Sequence, residues 1–280
     1  LTVRRGVSLE GTRGCFSHCD FCALNSQWEG FRKMSAERIY GRVMELTKKY
    51  HCEAVLFLDN VCDTWAERYA ELMMNSERRV DCFMELRAHH KEEFWVKLVL
   101  GGLERVQIGV EALSQPLLSK IGKGTKIIQN LVATKCFTEL GIVQGNNLIS
   151  HHPKSTLEDI SETKRIIMAT PHLPSYSIAK FRLQADSPVF DGLKPADRKR
   201  VKFKSIISLG GKLRDEVGQG FLELPSPVAL KPQVKKKWDE FKEWYARETA
   251  AWERQNPTMT VKRLKDGRLQ IEDKRSKKKK

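Results

Sequence analysis

No apolar run in the 280-residue sequence comes near the roughly 18 residues that a bilayer-crossing helix needs, so no membrane span is expected. Acidic residues are in short supply: 35 Asp and Glu face 50 Lys and Arg, a net charge of +15 that favours acidic partners. The surplus is uneven. The stretch from Lys262 to Lys280 carries ten basic and three acidic residues, about half the excess, and reads as a solvated tail before it reads as a nucleic-acid contact. No repeat of solenoid period is present. The basic opening residues lead straight into a strand pattern and do not resemble a secretory leader, so a cytoplasmic protein is expected. The first residue is Leu rather than Met, which leaves room for sequence upstream.

What the chain does have is enough apolar material for a core: 40% hydrophobic residues, with 12 Phe and 6 Trp, which argues against disorder despite 30% charged residues. Its seven cysteines are an odd number, and without a leader they read as reduced thiols or metal ligands, not a disulfide framework.

Strand and helix patterns alternate along the first two thirds. Strands are expected at Val7–Glu10, Ala54–Leu58, Cys82–Arg87, Arg105–Val110, Ile142–Ser150 and Tyr176–Leu183. Helices are expected between them at Ala36–Tyr50, Trp65–Met74, Lys91–Leu100, Lys126–Leu140 and Thr156–Ala169. Ser155 with Glu158 has the spacing of a capping box, and Gly141 ends the preceding helix. Such a series predicts an α/β protein with a parallel barrel or open sheet, its chemistry at the carboxyl ends of the strands. Beyond Pro188 the alternation stops. Lys231–Gln255 reads as one amphipathic helix whose stripe of Val234, Trp238, Phe241, Tyr245 and Trp252 is a packing surface. Lys265–Arg268 forms a hairpin turn between Thr258–Leu264 and Arg268–Ile271. The expected units are a barrel over 1–190, an extension over 191–262, and a hairpin end with basic tail over 263–280.

The chemical signal is Cys15-Phe-Ser-His-Cys19-Asp-Phe-Cys22, directly after the first strand and among Gly11 and Gly14. Three thiolates in one short loop suit zinc or an iron-sulfur cluster. A structural zinc site closes with a fourth ligand, and His18 inside the loop would reach the same ion only with strain. A cluster with three protein ligands instead keeps one iron open. Cys52 and Cys82 at strand starts and Cys136 on a helix read as core packing, whereas Cys62 follows the second strand on the active side and is a candidate participant.

The triplet and its place in the β/α series resemble the radical S-adenosylmethionine (SAM) superfamily. That resemblance implies a partial (β/α)6 TIM-like barrel with a C-terminal helical and β-hairpin extension. It also implies a 4Fe-4S cluster on Cys15, Cys19 and Cys22 whose open iron chelates S-adenosylmethionine, reductive cleavage to a 5′-deoxyadenosyl radical, and an electron donor such as flavodoxin or ferredoxin. It places Phe21 by the adenine and Asp59-Asn60 at the methionine amine. Glu85, Arg87, Glu111, Asn147 and Arg182 form the rest of the polar wall, with Arg87 toward the carboxylate.

A narrower resemblance rests on Arg13-Gly-Cys15, Cys22-x-Leu-Asn25, Phe31-Arg32-x-Met34-Ser35, Phe57-Leu-Asp59-Asn60, Ile108-Gly-Val-Glu111-Ala-Leu-Ser114, Lys120-Ile-Gly-Lys-Gly124 and Asp266 to Arg275. Together these are similar to cobalamin-associated radical enzymes that C-methylate ribosomally made peptides. That implies a peptide substrate and a cobalamin-binding domain upstream of the barrel. Where that family has a Gly-Phe-Pro-Gly-Glu loop, this chain has His151-His152-Pro153-Lys154-Ser155, which makes His151 and His152 candidate proton donors or plain loop residues. The rival readings are a radical enzyme acting on RNA or a small molecule, and a zinc- or cluster-stabilised binding module.

Overall fold

The computed structural model describes residues 5–28, 30–205, 220–223, 230–264 and 268–275. Six strands pair in chain order, all parallel: β1 (Gly6–Leu9), β2 (Ala54–Phe57), β3 (Asp81–Leu86), β4 (Leu103–Glu111), β5 (Val143–Ser150) and β6 (Ser177–Lys180). The connections carry α1 (Ala36–Lys49), α2 (Ala66–Met74), α3 (Glu92–Leu100), the short α4 (Gln115–Lys120), α5 (Ile127–Glu139) and α6 (Leu157–Ala169). With β1 and β6 as its two edges, the sheet is a partial barrel of β/α units, as the alternation predicts.

The period of two along each strand divides the sheet into two faces. On β3, Cys82, Met84 and Leu86 are buried and join a core with Ile39, Val43, Tyr69, Trp95 and Leu98 from the helices. Phe83 and Glu85, one residue out of phase, point to the other face and are only half-buried. On β2, Val55 and Phe57 are in that core while Leu56 is 42% exposed on the inner side. The inner wall is therefore open, and whatever the barrel acts on can reach it. Cys52, Cys82 and Cys136 are buried, in keeping with packing roles.

Helix ends follow local chemistry. Ser35 caps α1 by accepting from the Arg38 N–H, and Gly141 ends α5 at a φ of +71° that few other residues adopt. The capping box of α6 is shifted by one residue from expectation: Thr156 and Asp159 make it, not Ser155 and Glu158. Asp159 does more than cap. Its buried carboxylate accepts from Ser114 Oγ at 2.6 Å and Lys120 Nζ at 2.8 Å, tying α6 to α4. Burial pushes its pKa up, but Lys120 and Ser114 outweigh that and hold it below the ordinary value. A carboxylate held low stabilises the fold above its unfolded pKa of about 3.9 and loses that contribution as pH falls through its lower folded value. Asp159→Ala should cost about 2 to 3 kcal/mol in urea unfolding at neutral pH, the scale of a lost charged hydrogen bond. The gap from wild type should close below about pH 4; a gap independent of pH would contradict the assignment.

After β6 lie two antiparallel pairs, β7 (Lys202–Ser205) with β8 (Gly220–Glu223) and β9 (Met259–Arg263) with β10 (Leu269–Asp273), separated by α7 (Pro232–Gln255). The turn expected at Lys265–Arg268 includes 265–267, which lie outside the described residues. Helix α7 buries Val234, Trp238, Phe241 and Tyr245 against the barrel, and Tyr245 accepts the Tyr176 N–H at 2.5 Å, at the entrance to β6. Arg275 donates to the Ala169 carbonyl at 2.7 Å, fixing the end of the hairpin to the end of α6. Among the described residues no helix is long and apolar enough to cross a membrane.

Candidate active site

The loop between β1 and α1 carries Cys15, Cys19 and Cys22. Gly14 turns it at a φ of +81°, where an added Cβ would stand 2.5 Å from the Gly30 carbonyl. Asn25 closes the loop from within: its Oδ1 accepts the Cys15 N–H at 3.2 Å and its Nδ2 donates to the Ser17 carbonyl at 2.5 Å. All three thiols are free, Cys19 buried and the other two half-buried. Burial pushes Cys19 and Cys22 up as thiols; the positive charges of Lys123 and Arg87 counter this at Cys19. Three free thiols on one loop are soft donors that suit zinc or an iron-sulfur group. Tetrahedral zinc, with Zn–S near 2.3 Å, would hold them about 3.8 Å apart. A structural zinc site also wants a fourth ligand, whereas three thiolates from one loop are a donor set that fits a multi-iron group with one iron left open.

Several buried charges fix this loop to the rim of the barrel. The Asp20 N–H donates to the Ile121 carbonyl, and its carboxylate meets His152 Nε2 at 3.2 Å and Lys154 Nζ at 2.6 Å. Burial raises the Asp20 carboxyl, but its pairing with His152 and Lys154 outweighs this and holds the group below its usual range. Arg87 reaches from the end of β3 to Ser17 Oγ and to the Lys123 carbonyl, joining the cysteine loop to the loop after α4. Asp59, after β2, accepts from the Gly11 N–H at 2.9 Å, Thr12 Oγ1 at 2.7 Å and Trp65 Nε1 at 3.3 Å.

These contacts give several of the expected residues structural partners. Asp59 is 1% exposed and both its oxygens are spent on the base of the cysteine loop, so its carboxylate does not face the inner wall. Cys62 is fully buried within the helix-side core, which raises its thiol far above the ordinary value and removes it from the mouth. His151 turns away at a φ of +61° and places its ring between Ser150 and Asp239 of α7, each at 3.0 Å. His152, 1% exposed, is the partner of Asp20. Both are residues of the loop between β5 and α6, and both are buried there with structural partners: one docks α7 and the other meets the cysteine loop. The patterns could not show this, because both partners lie far away in sequence.

The remaining expected residues lie in or just beyond the carboxyl halves of their strands. Glu85 and Asn147 are half-buried on the inner faces of β3 and β5, and Asn60 and Arg182 follow β2 and β6. Glu111 ends β4 in left-handed backbone at φ +62°, after a register shift against β5, and keeps the half-buried phase of Gln107 and Gly109. There it meets Lys123 Nζ at 3.0 Å. Lys123 lies within Lys120-Ile-Gly-Lys-Gly124 and joins the residues expected at the site. Gly109 makes room for it, since a Cβ there would collide with Nζ. Burial, then the nearby Glu111, raises the Glu85 carboxyl. Phe21 packs against Ala112, Leu117, Leu118 and Ile121, anchoring the third cysteine to α4. Arg87, expected near a carboxylate, is instead occupied in joining two loops.

An open parallel barrel with three free thiols and a charged wall on its carboxyl rim defines an iron-sulfur enzyme of the β/α class. The chain belongs to the radical SAM superfamily, whose family model matches residues 9–167. It is 26% identical over 167 residues to 4'-phospho-dehydrooxetanocin synthase of Priestia megaterium, covering 50% of this chain and 22% of that protein. It is 29% identical over 182 residues to hopanoid C-3 methylase of Methylococcus capsulatus, covering 61% of this chain and 34% of that one. Among solved structures, OxsB, a cobalamin-dependent S-adenosylmethionine radical enzyme with aqua-cobalamin and S-adenosylmethionine bound, superposes with a TM-score of 0.63 at 17% identity, covering 85% of this chain and 41% of OxsB. The radical S-adenosylmethionine methyltransferase TsrM from Kitasatospora setae, with cobalamin and a 4Fe-4S cluster bound, gives 0.63 at 15% identity over 85% of this chain and 52% of TsrM. The chain thus spans about a third or less of these curated relatives and about half of these structures. The fold is that of the radical SAM barrel.

Proposed function

We propose that this chain is the catalytic barrel of a cobalamin-associated radical SAM methylase acting on a ribosomally made peptide. The observation that carries the reading is the open inner wall, charged at its rim by Glu85, Glu111 and Lys123 and apolar further in at the exposed Leu56 and Val143. The rim suits a zwitterionic methionine moiety and the apolar floor suits an extended peptide. The methylase and cobalamin proteins that the chain resembles support the same reading. The cobalamin site itself would be supplied by sequence outside the barrel.

In this reading Cys15, Cys19 and Cys22 hold the cluster, and the bound cluster with S-adenosylmethionine supplies one-electron reduction of a sulfonium. The protein's part is electrostatic and geometric. Asp59, Asp20 and Arg87 hold the loop at three points, so the thiols are positioned before a metal arrives. Lys123 offers the cation for a carboxylate. Glu111, Glu85, Asn147 and Arg182 offer acceptors and donors to the amine and ribose, with Asn60 at the rim and Phe21 at the adenine. The electron donor would be a flavodoxin or ferredoxin, which an intracellular setting provides.

The net charge of +15 favours a second reading, RNA as the substrate. Anaerobic protein reconstituted with iron, sulfide and cobalamin, reduced in the presence of methyl-labelled S-adenosylmethionine, should release 5′-deoxyadenosine or S-adenosylhomocysteine. Absence of both would overturn the enzymatic assignment. Binding of a fluorescent apolar peptide should change little with salt. If instead a single-stranded RNA binds, and its affinity collapses between 50 and 200 mM salt as neutralising several phosphates requires, the peptide proposal fails.

A further inference from the structure

A second cluster of ligating side chains stands on the same rim, on the loops after β2 and β3. One carboxylate oxygen of Asp63 and one ring nitrogen each of His89 and His90 lie within 4.8 Å of one another. Among the described residues no other group of His, Cys, Asp and Glu meets that spacing. The Asp63 side chain is only 4% exposed. Its two oxygens accept the Arg87 N–H at 3.3 and 3.4 Å, long bonds that orient the carboxylate without neutralising it, and Oδ1 also faces His90 Nε2. The His90 ring is stacked on Phe94, with centroids 3.8 Å apart and planes 8° apart, and meets the edge of Trp95 at 5.4 Å. His89 lies 4.1 Å from His90 and is the exposed member of the three.

We propose that Asp63, His89 and His90 bind a divalent transition-metal ion of the zinc class, distinct from the group on the three cysteines. Two imidazoles and one carboxylate select zinc, iron(II) or their neighbours over magnesium or calcium, which want oxygen ligands throughout. An ordinary Asp–His pair would explain Asp63 and His90 alone. His89 adds a third donor that such a pair does not require. The aromatic wall behind His90 fixes one ligand, the Arg87 N–H orients another, and solvent on the His89 side leaves coordination positions for water. The ion would clamp the loop after β2 to the loop after β3, and so hold the backbone of Arg87, whose side chain ties down the cysteine loop.

The test uses anaerobic protein with its cluster in place, so that the three thiols are occupied, dialysed against a chelator and titrated with zinc sulfate against a chromophoric competitor. Wild type should bind one zinc beyond its iron, and zinc should raise its melting temperature. His89→Ala, at an exposed position that should leave folding unchanged, and Asp63→Asn should each weaken that zinc by about tenfold or more with the iron content unaltered. Cobalt(II) in place of zinc should show no thiolate charge-transfer absorption. The proposal is overturned if His89→Ala binds zinc as tightly as wild type, if wild type binds none beyond its iron, or if the cobalt spectrum shows thiolate ligation. None of these readouts depends on turnover, so they leave the proposed activity to its own test.

Discussion

Single replacement of Cys15, Cys19 or Cys22 by Ala should leave protein that takes up little or no iron and sulfide on reconstitution and has no turnover above background. The three thiols share one loop, and no other thiol can substitute: Cys52, Cys62, Cys82 and Cys136 are buried, Cys62 wholly within the helix-side core. The apo fold should survive the change, because the loop is held by groups other than sulfur. Asp59 grips its base, Asp20 grips its centre through His152 and Lys154, and Arg87 grips Ser17. Iron content and the visible absorption of anaerobic samples give the result, with thermal melts as the control for folding. Anaerobically prepared wild type that carries stoichiometric zinc and acquires no iron would refute the assignment.

The next largest effect is expected at Lys123. Its side chain is 8% exposed and that of its partner Glu111 is 16% exposed, so removing the cation strands a carboxylate that is already close enough to Glu85 to raise it. Breaking a buried pair from one side costs about 3 to 5 kcal/mol. The exposure remaining at Glu111 puts Lys123→Met near the lower end of that range. The double variant Lys123→Met with Glu111→Gln should recover much of the lost stability, since no charge is left unpaired. It should not recover binding. Equilibrium dialysis of S-adenosylmethionine against cluster-loaded protein should show about 10- to 100-fold weaker binding in both variants, equivalent to about 1.4 to 2.8 kcal/mol. Unchanged affinity in Lys123→Met would remove Lys123 from the site, and full rescue of affinity in the double variant would reduce the pair to a structural one.

The contrast between Lys123 and Arg87 shows where reading the chain in one dimension stops. Both are cations at the rim, and the family resemblance favours Arg87, which directly follows β3. Its guanidinium is a planar fork, and the fold uses it to join two loops through Ser17 and the Lys123 carbonyl. Lys123 comes from the loop after α4, lies over Gly109 of β4, where a Cβ would meet its Nζ, and pairs there with Glu111. Neither circumstance leaves a periodic trace. His151 and His152 behave in the same way: adjacent in the chain, they point to Asp239 on α7 and Asp20 in the cysteine loop.

The sequence by itself determined the order and kind of the six β/α units, the single helix from Pro232 to Gln255, and the three-cysteine loop with the family it belongs to. These rest on spacing: periods of two and 3.6 and short gaps between thiols are local, and backbone geometry converts them directly into elements and a ligand loop. Only the tertiary structure decided which charged side chains reach the open wall and which are spent holding the loop. Asp59, Arg87 and His152 have the residue types of a binding site, yet burial forces each to find a partner, and those partners come from other strands. Desolvation is a property of the packed chain, so the division between residues that face the wall and residues that support it appears only once the strands are side by side.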